Sequence, residues 1–277
     1  MACANKAQEC SPIFEKGVPL GINKNHDLEE ASGLIAASQP GYFWSHNDSG
    51  HPAQVFLLDD NARTIRAFTV PEAKNRDWED IAWGPDPAGG GNFVYVGDIG
   101  DNQRHYPVKR IYRFKEPGSG DTLIKGPVAV LPFRLPDEIH DTEAMFCDPL
   151  SQKFYVISKV QKRAHLFELD NDFSGDTLIA REVARLPFLY VVAADISRDG
   201  SEILVKTYLN VYYWKRKDGE SIAETLTREA TTLCYDQEPQ GEAVAWGLDG
   251  QAYFTLSENA KGQRARLYVY KRKTDQR

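Results

Sequence analysis

The chain has 277 residues and a formal net charge of −7, and 42% of its residues are hydrophobic. This length holds one large domain or two small ones, with enough apolar material for a substantial core. The acidic balance argues against a general nucleic-acid or anionic-membrane binder, because both need a positive surface. No apolar run reaches the length of a membrane span, so we expect neither a nucleic-acid partner nor a transmembrane segment.

The N-terminal stretch MACANKAQEC is polar and rich in small residues, and we expect residues 1–12 to form a flexible tail. It fits the tether that follows the lipidated cysteine of a bacterial lipoprotein. We therefore expect an extracytoplasmic protein, whether periplasmic, secreted or lipid-anchored, with its leader removed. The cysteines are Cys3, Cys10, Cys147 and Cys234. Disulfides Cys3–Cys10 or Cys10–Cys234 are the simplest pairings, and buried thiols explain the pattern equally well.

One unit recurs five times in chain order: a polar residue, a short apolar strand, a turn and an aromatic strand. The predicted first strands are EASGLIAAS (30–38), WEDIAWGPD (78–86), DTEAMFCDP (141–149), AADISRDG (193–200) and GEAVAWGLDG (241–250). The predicted second strands are GYFWSHNDSG (41–50), NFVYVGDIGDN (92–102), KFYVISKV (153–160), EILVKTYL (202–209) and QAYFTLSEN (251–259). The predicted third strands are QVFLLD (54–59), RIYRF (110–114), HLFELD (165–170), VYYWKR (211–216) and RLYVYKR (266–272).

Four of the five units also have a weaker fourth strand, and the fifth unit lacks one. These strands are predicted at TIRAFTV (64–70), VAVLPFRL (128–135), EVARLPF (182–188) and AETLTRE (223–229). The strand-like segment IFEKGVPLGI (13–22) can complete the last sheet, which closes a ring and removes an exposed edge. Helical periodicity is missing almost throughout. The sequence therefore predicts an all-β fold, a five-bladed β-propeller with four antiparallel strands per blade, formed by residues 13–277 as a single domain.

Propeller geometry brings the starts of the first strands and the ends of the second strands to one mouth of the central channel, here called the upper mouth. The equivalent axial positions are predicted to be Ser32, Glu79, Glu143, Asp195 and Glu242. Acids at strand starts are also common as solvated turn residues. Carboxylates that face one another in a narrow channel need protonation, basic partners or a bound cation. Oxygen-only ligands favour a hard cation, and a flexible cage with waters suits Ca²⁺ better than Mg²⁺.

The other polar residues of the upper mouth are candidates for catalysis and binding. Asp48 or Asp98 would act as the general base, and Lys159 would hold anionic charge. The predicted substrate-binding residues are His46, Asn47, Trp78, Asp101, Asn102, Arg104, His140, Lys206, Tyr208 and Glu258. The GDIGDN stretch (97–102) is either a β-turn or a functional loop.

The motifs EASGL, WEDIA, YVGDIGDN, DTEAM and QGEAVA resemble an uncharacterised family of bacterial propeller proteins that are often secreted or lipid-anchored. A more distant similarity is to calcium-activated nucleotidases of the apyrase type, which are five-bladed propellers with a central Ca²⁺. That similarity implies that Ser32, Glu79, Glu143, Asp195 and Glu242 are calcium ligands, with Asp195 in place of a serine. The turn Asn47–Gly50 lacks the arginine of that family, and the paired arginines of its third unit are replaced around Ser158 and Lys159. Arginine forks are the usual phosphate clamps, so nucleotide specificity does not follow from the similarity.

Two functions remain open on these residues. The first is a Ca²⁺-dependent hydrolase of a phosphoester or phosphoanhydride. The second is a non-catalytic propeller in which Ca²⁺ fixes the blades and the upper face binds a glycan, a peptide or a small molecule. In that case Tyr42, Trp44, Trp78 and Tyr106 would offer stacking surfaces. A protein-interaction hub is disfavoured because the loops are strongly polar, and we expect a monomer.

Overall fold

The computed structural model describes residues 13–86, 90–118, 120–136, 140–260 and 262–274. The predicted N-terminal tail, with Cys3 and Cys10, lies outside these residues. The N-terminal strand is β1 (Val18–Ile22), and blade 1 contains β2 (Ala31–Ala36), β3 (Tyr42–Asn47), β4 (Gln54–Asp59) and β5 (Thr64–Thr69). Blade 2 contains β6 (Trp78–Pro85), β7 (Asn92–Asp98), β8 (Lys109–Lys115) and β9 (Ala129–Arg134).

The remaining strands form three further sheets. Blade 3 contains β10 (Thr142–Cys147), β11 (Phe154–Ser158), β12 (Ala164–Leu169) and β14 (Arg181–Leu186), while the short β13 (Leu178–Ile179) joins β9 of blade 2 in parallel. Blade 4 contains β15 (Val191–Ile196), β16 (Glu202–Thr207), β17 (Val211–Lys215) and β18 (Thr231–Thr232), with helix α1 (Ile222–Thr227) before β18. Blade 5 contains β19 (Gly241–Trp246), β20 (Ala252–Ser257) and β21 (Arg266–Lys271).

The inner strands β2, β6, β10, β15 and β19 contact one another in a closed cycle, so the five sheets form the predicted five-bladed β-propeller. The ring is closed as the sequence predicts, because β1 pairs antiparallel with β21 and becomes the outer strand of blade 5. The inner strands β2, β10, β15 and β19 are buried at every residue. Both faces of each blade pack against neighbouring blades, and this explains why these strands read as continuous apolar runs.

The strand predicted at 223–229 is wrong, because this segment forms helix α1. Ser221 is its N-cap: the Ser221 side chain accepts a hydrogen bond from the Glu224 backbone N–H, and the Glu224 carboxylate accepts one from the Ser221 N–H. This capping box starts the helix, and Ile222 and Leu226 bury its apolar side. The fourth strand of blade 4 is only Thr231–Thr232. Among the described residues, no helix is long and apolar enough to cross a membrane.

Each inner strand has an unpaired backbone edge that faces the central channel. The buried carboxylate of Asp80 accepts hydrogen bonds from some of the N–H groups on these edges. Asp80 Oδ2 accepts hydrogen bonds from Met145 N (2.8 Å) in blade 3 and Ala194 N (3.2 Å) in blade 4, and Asp80 Oδ1 accepts one from Ile81 N (2.9 Å). Burial raises the pKa of Asp80 well above its ordinary value, and the three N–H donors oppose that shift. Asp80 thus connects three blades across the axis.

We expect Asp80→Ala to lower the free energy of unfolding by about 2–4 kcal/mol, because it leaves the N–H groups of Met145 and Ala194 without their acceptor. Chemical denaturation of the two proteins measures the change. Asp170→Ala is the control, since the Asp170 side chain is 75% exposed. Equal stabilities of the two variants would show that Asp80 does not hold the channel together.

Candidate metal centre

Each inner strand contains a β-bulge at the same point of its pairing with the second strand of its blade. A bulge turns a side chain away from the regular alternation of the strand. In blades 2, 3 and 5 the bulged residues are Glu79, Glu143 and Glu242. In blades 1 and 4 they are Gly33 and Val192. The register therefore makes three of the predicted metal ligands structurally equivalent.

The predicted equivalence of Ser32 and Asp195 with these glutamates is wrong. Ser32 lies one residue before the bulge of blade 1, and its Oγ donates to the backbone oxygen of Glu79 (2.7 Å). Asp195 lies three residues beyond Val192, and its oxygens accept hydrogen bonds from Trp246 N (2.7 Å) and Ile196 N (2.8 Å). β15 begins at Val191, two residues before the first strand predicted for blade 4 (193–200). Because of this offset, the sequence alignment of the five units placed Asp195 at the position that Val192 occupies in the structure.

Carboxylates crowd the upper mouth in three overlapping groups, in each of which one oxygen per residue lies within 4.8 Å of the others. The groups are Asp48–Glu242–Glu258, Asp48–Asp77–Glu79 and Glu79–Asp141–Glu143. Asp48 and Glu79 each belong to two groups, so the groups form a continuous arc, here called the acidic arc. These three groups are those found among the described residues.

Glu79 stands at the centre of the acidic arc and lacks a partner among the described residues. It is 2% exposed, and its carboxylate accepts no hydrogen bond from them. Burial, and then the neighbouring Glu143, raise the pKa of Glu79 well above its ordinary value. Burial likewise raises the pKa values of Asp48 and Asp77 to about 6. These carboxylates cannot all be ionised at neutral pH unless a cation compensates their charge.

The two other bulge glutamates are held by side chains of the mouth. Lys159 Nζ lies 2.8 Å from Glu143 Oε1, and burial of the lysine is outweighed by Glu143 and Glu242, which raise its pKa. Tyr208 donates its hydroxyl to Glu242 Oε1 (2.5 Å). Lys159 Nζ also lies 5.3 Å from the centroid of the Tyr208 ring. Lys159 and Tyr208 thus link Glu143 to Glu242.

Other cations around the mouth already have partners. Arg76 Nε donates to Asp98 Oδ2 (2.6 Å) and Arg76 Nη2 to Val108 O (3.2 Å). Lys109 Nζ donates to Ile99 O (2.5 Å). Lys206 Nζ donates to Gly241 O, and burial lowers the pKa of Lys206 to about 8. These side chains stabilise backbone and carboxylate groups below the mouth.

Several predicted substrate contacts are instead parts of the wall. Trp78 is 0% exposed, and its Nε1 donates to Lys74 O (3.1 Å), so its prediction as a stacking surface is wrong. The prediction of Trp44 as a stacking surface is wrong for the same reason, because Trp44 is 1% exposed. His46 and Lys206 are each 0% exposed. The His46 ring packs edge-on against Trp78, and burial lowers its pKa to about 4.

Three further predicted residues fix loops. Asp98 accepts hydrogen bonds on both oxygens, from Arg76 Nε and from Asp77 N (3.0 Å), which leaves it poorly placed to act as a base. Asp101 accepts from His105 N (2.6 Å) and Tyr106 N (2.7 Å) and closes the turn after β7. Asn47 Oδ1 accepts from Glu30 N, and its Nδ2 donates to Asp27 O. GDIGDN thus combines a structural turn with a wall of the candidate site.

The remaining predicted residues lie nearer to solvent. Asn102 and Arg104 are exposed on the loop after β7. His140, Tyr208 and Glu258 are half-buried, and Glu258 belongs to the acidic arc. The His140 ring lies 4.6 Å from that of His165.

Asp77, Asp141 and Gly100 are absent from the predicted functional set. Asp77 O accepts hydrogen bonds from Ile99 N and Gly100 N (3.1 Å each), which places the GDIGDN loop against the start of β6. A Cβ on Gly100 would lie 2.0 Å from Glu79 Oε1 and 2.6 Å from Asp77 Cγ. The acid directly before Trp78 and the second glycine of GDIGDN were the available signals.

No protein-family model matches the chain, and no curated protein matches it. The similarity to apyrase-type nucleotidases therefore stays a prediction. Among solved structures, a hydrazine synthase chain from Kuenenia stuttgartiensis is similar to this chain with a TM-score of 0.44 and 9% identity, over 88% of this chain and 72% of that one. Similarity at this level carries no functional argument, and the propeller assignment rests on the five sheets themselves.

We expect Gly100→Ala to lower the melting temperature by several degrees, because the new methyl group must displace the carboxylates of Glu79 and Asp77. Differential scanning calorimetry measures the shift. Gly120→Ala is the matched control, since a Cβ there meets no atom within 4 Å. A Gly100→Ala protein as stable as the control would contradict the close approach of this loop.

Proposed function

We propose that the upper mouth binds a hard divalent cation, Ca²⁺ in the first instance, through Glu79, Glu143 and Glu242. The observation that carries the proposal is Glu79, which is 2% exposed, lacks a hydrogen bond from the described residues and belongs to two groups of carboxylates. An ionised carboxylate without a partner is costly to bury. A coordinated cation removes that cost, and six to eight oxygen ligands suit Ca²⁺.

The surrounding residues would support such an ion. Lys159 and Tyr208 orient Glu143 and Glu242, as groups behind metal ligands commonly do. Asp48, Asp77 and Asp141 supply further oxygens of the acidic arc. Ca²⁺ sites of extracellular modules have dissociation constants of about 10⁻⁴–10⁻³ M. The proposal is therefore compatible with the extracytoplasmic location predicted from the N-terminal stretch.

We expect Ca²⁺ at 100 times its dissociation constant to stabilise the protein by about 2.7 kcal/mol, since the ion binds only the folded state. A thermal melt with added Ca²⁺ and with chelator measures the effect. Glu79→Gln should abolish most of the shift, whereas Glu29→Gln, whose side chain is 47% exposed, should keep it. A melting temperature that is unchanged by both Ca²⁺ and chelator would contradict the metal centre.

We propose further that the bound ion promotes hydrolysis of a phosphoester or phosphoanhydride. Ca²⁺ would polarise a phosphoryl oxygen and orient an attacking water. Asp48 is the better placed of the two predicted bases. It belongs to two carboxylate groups and, among the described residues, its carboxylate accepts only the N–H of the adjacent Ser49. Asp98 is engaged by Arg76 and Asp77.

We expect Asp48→Asn to lower kcat by about 10²–10⁴-fold, the usual contribution of a general base. The substrates for the assay are nucleotides and nitrophenyl phosphodiesters, each with Ca²⁺ and with chelator. Asp98→Asn should instead reduce stability, because it breaks the ion pair with Arg76. Absence of any chelator-sensitive hydrolysis by the unmodified protein would exclude the enzyme.

We propose as the alternative a propeller that binds a ligand without turnover; its support is the engagement of Arg76, Lys109 and Lys206 with other groups. These cations are not available to clamp a phosphate. In this case Ca²⁺ fixes the blades and presents a coordination position to a small molecule or a glycan. The Ca²⁺-dependent stabilisation would persist in the absence of turnover, which separates the two functions.

A further inference from the structure

Glu79 is shared by two of the three carboxylate groups in the acidic arc. One group joins it to Asp48 and Asp77, and the other joins it to Asp141 and Glu143. Within each group one oxygen per residue lies within 4.8 Å of the others. Two oxygens bound to the same Ca²⁺ lie at most about 5 Å apart, since each Ca²⁺–oxygen distance is about 2.3–2.6 Å. Each group therefore has the spacing that one cation needs.

The two groups require two ion positions. Glu79 is their only common member, and the five acids do not form a single group among the described residues. One cation therefore cannot bind all five carboxylates in this arrangement. A second cation can, provided that Glu79 belongs to both coordination spheres.

The hydrogen bonds of these acids suit such a shared ligand. Asp141 Oδ1 accepts a hydrogen bond from Asp101 N (2.8 Å), and Glu143 Oε1 lies 2.8 Å from Lys159 Nζ. Each of these acids is thus held by a donor, as carboxylate ligands commonly are. Glu79 is 2% exposed and accepts no hydrogen bond from the described residues. Its carboxylate keeps all its lone pairs for cations, and a bridging ligand needs them.

The charge of the two groups also calls for two ions. Five ionised carboxylates and Lys159, which pairs with one of them, leave four negative charges. The neighbouring cations are directed to other acids: Arg76 pairs with Asp98, and the strongest charge interaction of Lys109 is with Asp101. Two divalent cations neutralise the four charges, whereas one leaves half of them uncompensated in a buried site.

We propose that the upper mouth binds two divalent cations and that Glu79 is the carboxylate that bridges them. The first ion is the one already proposed at Glu79 and Glu143, with Asp141 as a further ligand. The second ion lies at Asp77 and Glu79, and Asp48 faces a water on that ion. The inference rests on the proposed function, because the first ion is the same. Paired ions about 3.5–4 Å apart are typical of phosphoester hydrolases, in which they hold the attacking and leaving oxygens.

Equilibrium dialysis against radioactive Ca²⁺ counts the ions on the full chain after treatment with chelator. At a Ca²⁺ concentration that saturates the unmodified protein, we expect two ions per chain. Asp77→Asn and Asp141→Asn should each bind one, because each removes a ligand of one ion only. Glu79→Gln should bind at most one, since a neutral amide cannot bridge two cations. Asp170→Asn is the control and should bind two, because the Asp170 side chain is 75% exposed.

Electron paramagnetic resonance with Mn²⁺ gives a readout that a merely structural role of these acids would not change. Mn²⁺ takes the same oxygen ligands as Ca²⁺. Two Mn²⁺ ions on one bridging carboxylate are magnetically coupled, so the unmodified protein should give a broadened signal. Asp77→Asn should restore the sharp signal of an isolated ion. The substitution keeps the size of the side chain, and the test therefore does not depend on Glu79→Gln being folded.

The ion count separates this inference from the proposed function. One Ca²⁺ per chain in the unmodified protein overturns the bridge and leaves the single metal centre standing, whereas no bound ion overturns both. Two ions without magnetic coupling overturn the bridge, because the second ion then lies elsewhere. The same conclusion follows if Asp77→Asn still binds two ions, or if Asp170→Asn loses one.

Discussion

The free edges of the inner strands are the constraint on which the rest of this propeller depends. Five inner strands meet around one axis, and each presents an unpaired backbone edge to the central channel. Asp80 accepts two of these N–H groups from across the channel, and Asp195 accepts the N–H of Trp246 in blade 5. The polar side chains of the channel thus replace the neighbouring strand that an inner edge lacks.

This constraint separates two kinds of buried acid in the same strands. Asp80 and Asp195 have backbone donors on both oxygens and serve the fold. The bulge residue Glu79, one position before Asp80, has no such donor among the described residues. The bulge directs the side chain of Glu79 to the mouth rather than to the strand edges. The adjacent acids Glu79 and Asp80 of the motif WEDIA therefore differ in their environment: Asp80 accepts backbone hydrogen bonds across the channel, and Glu79 does not.

The bulge residue differs from blade to blade, and this difference makes the upper mouth chemically asymmetric. Glutamates of the acidic arc occupy the position in blades 2, 3 and 5, whereas glycine occupies it in blade 1 and valine in blade 4. A perfectly repeated propeller would have a symmetric mouth. Here the departures from the repeat, rather than the repeat itself, determine which chemical groups can meet a ligand.

The sequence by itself determined the number of blades, the order of their strands and the closure of the ring by residues 13–22, because strand alternation and turn residues are local signals. It also located the three glutamates, since each follows the same pattern at the start of an inner strand. It did not determine helix α1 as a helix, although the S-x-x-E capping box of Ser221 and Glu224 was a local signal for it.

Only the tertiary structure decided which acids face one another. Ser32 lies one residue before the bulge residue of blade 1, and Asp195 lies three residues after that of blade 4, so neither is equivalent to the glutamates in the register. The burial of Trp78 and His46, and the approach of Asp48 and Asp141 to Glu79, depend on contacts between blades. Such contacts join residues that are distant along the chain, and no local pattern encodes the distance between them.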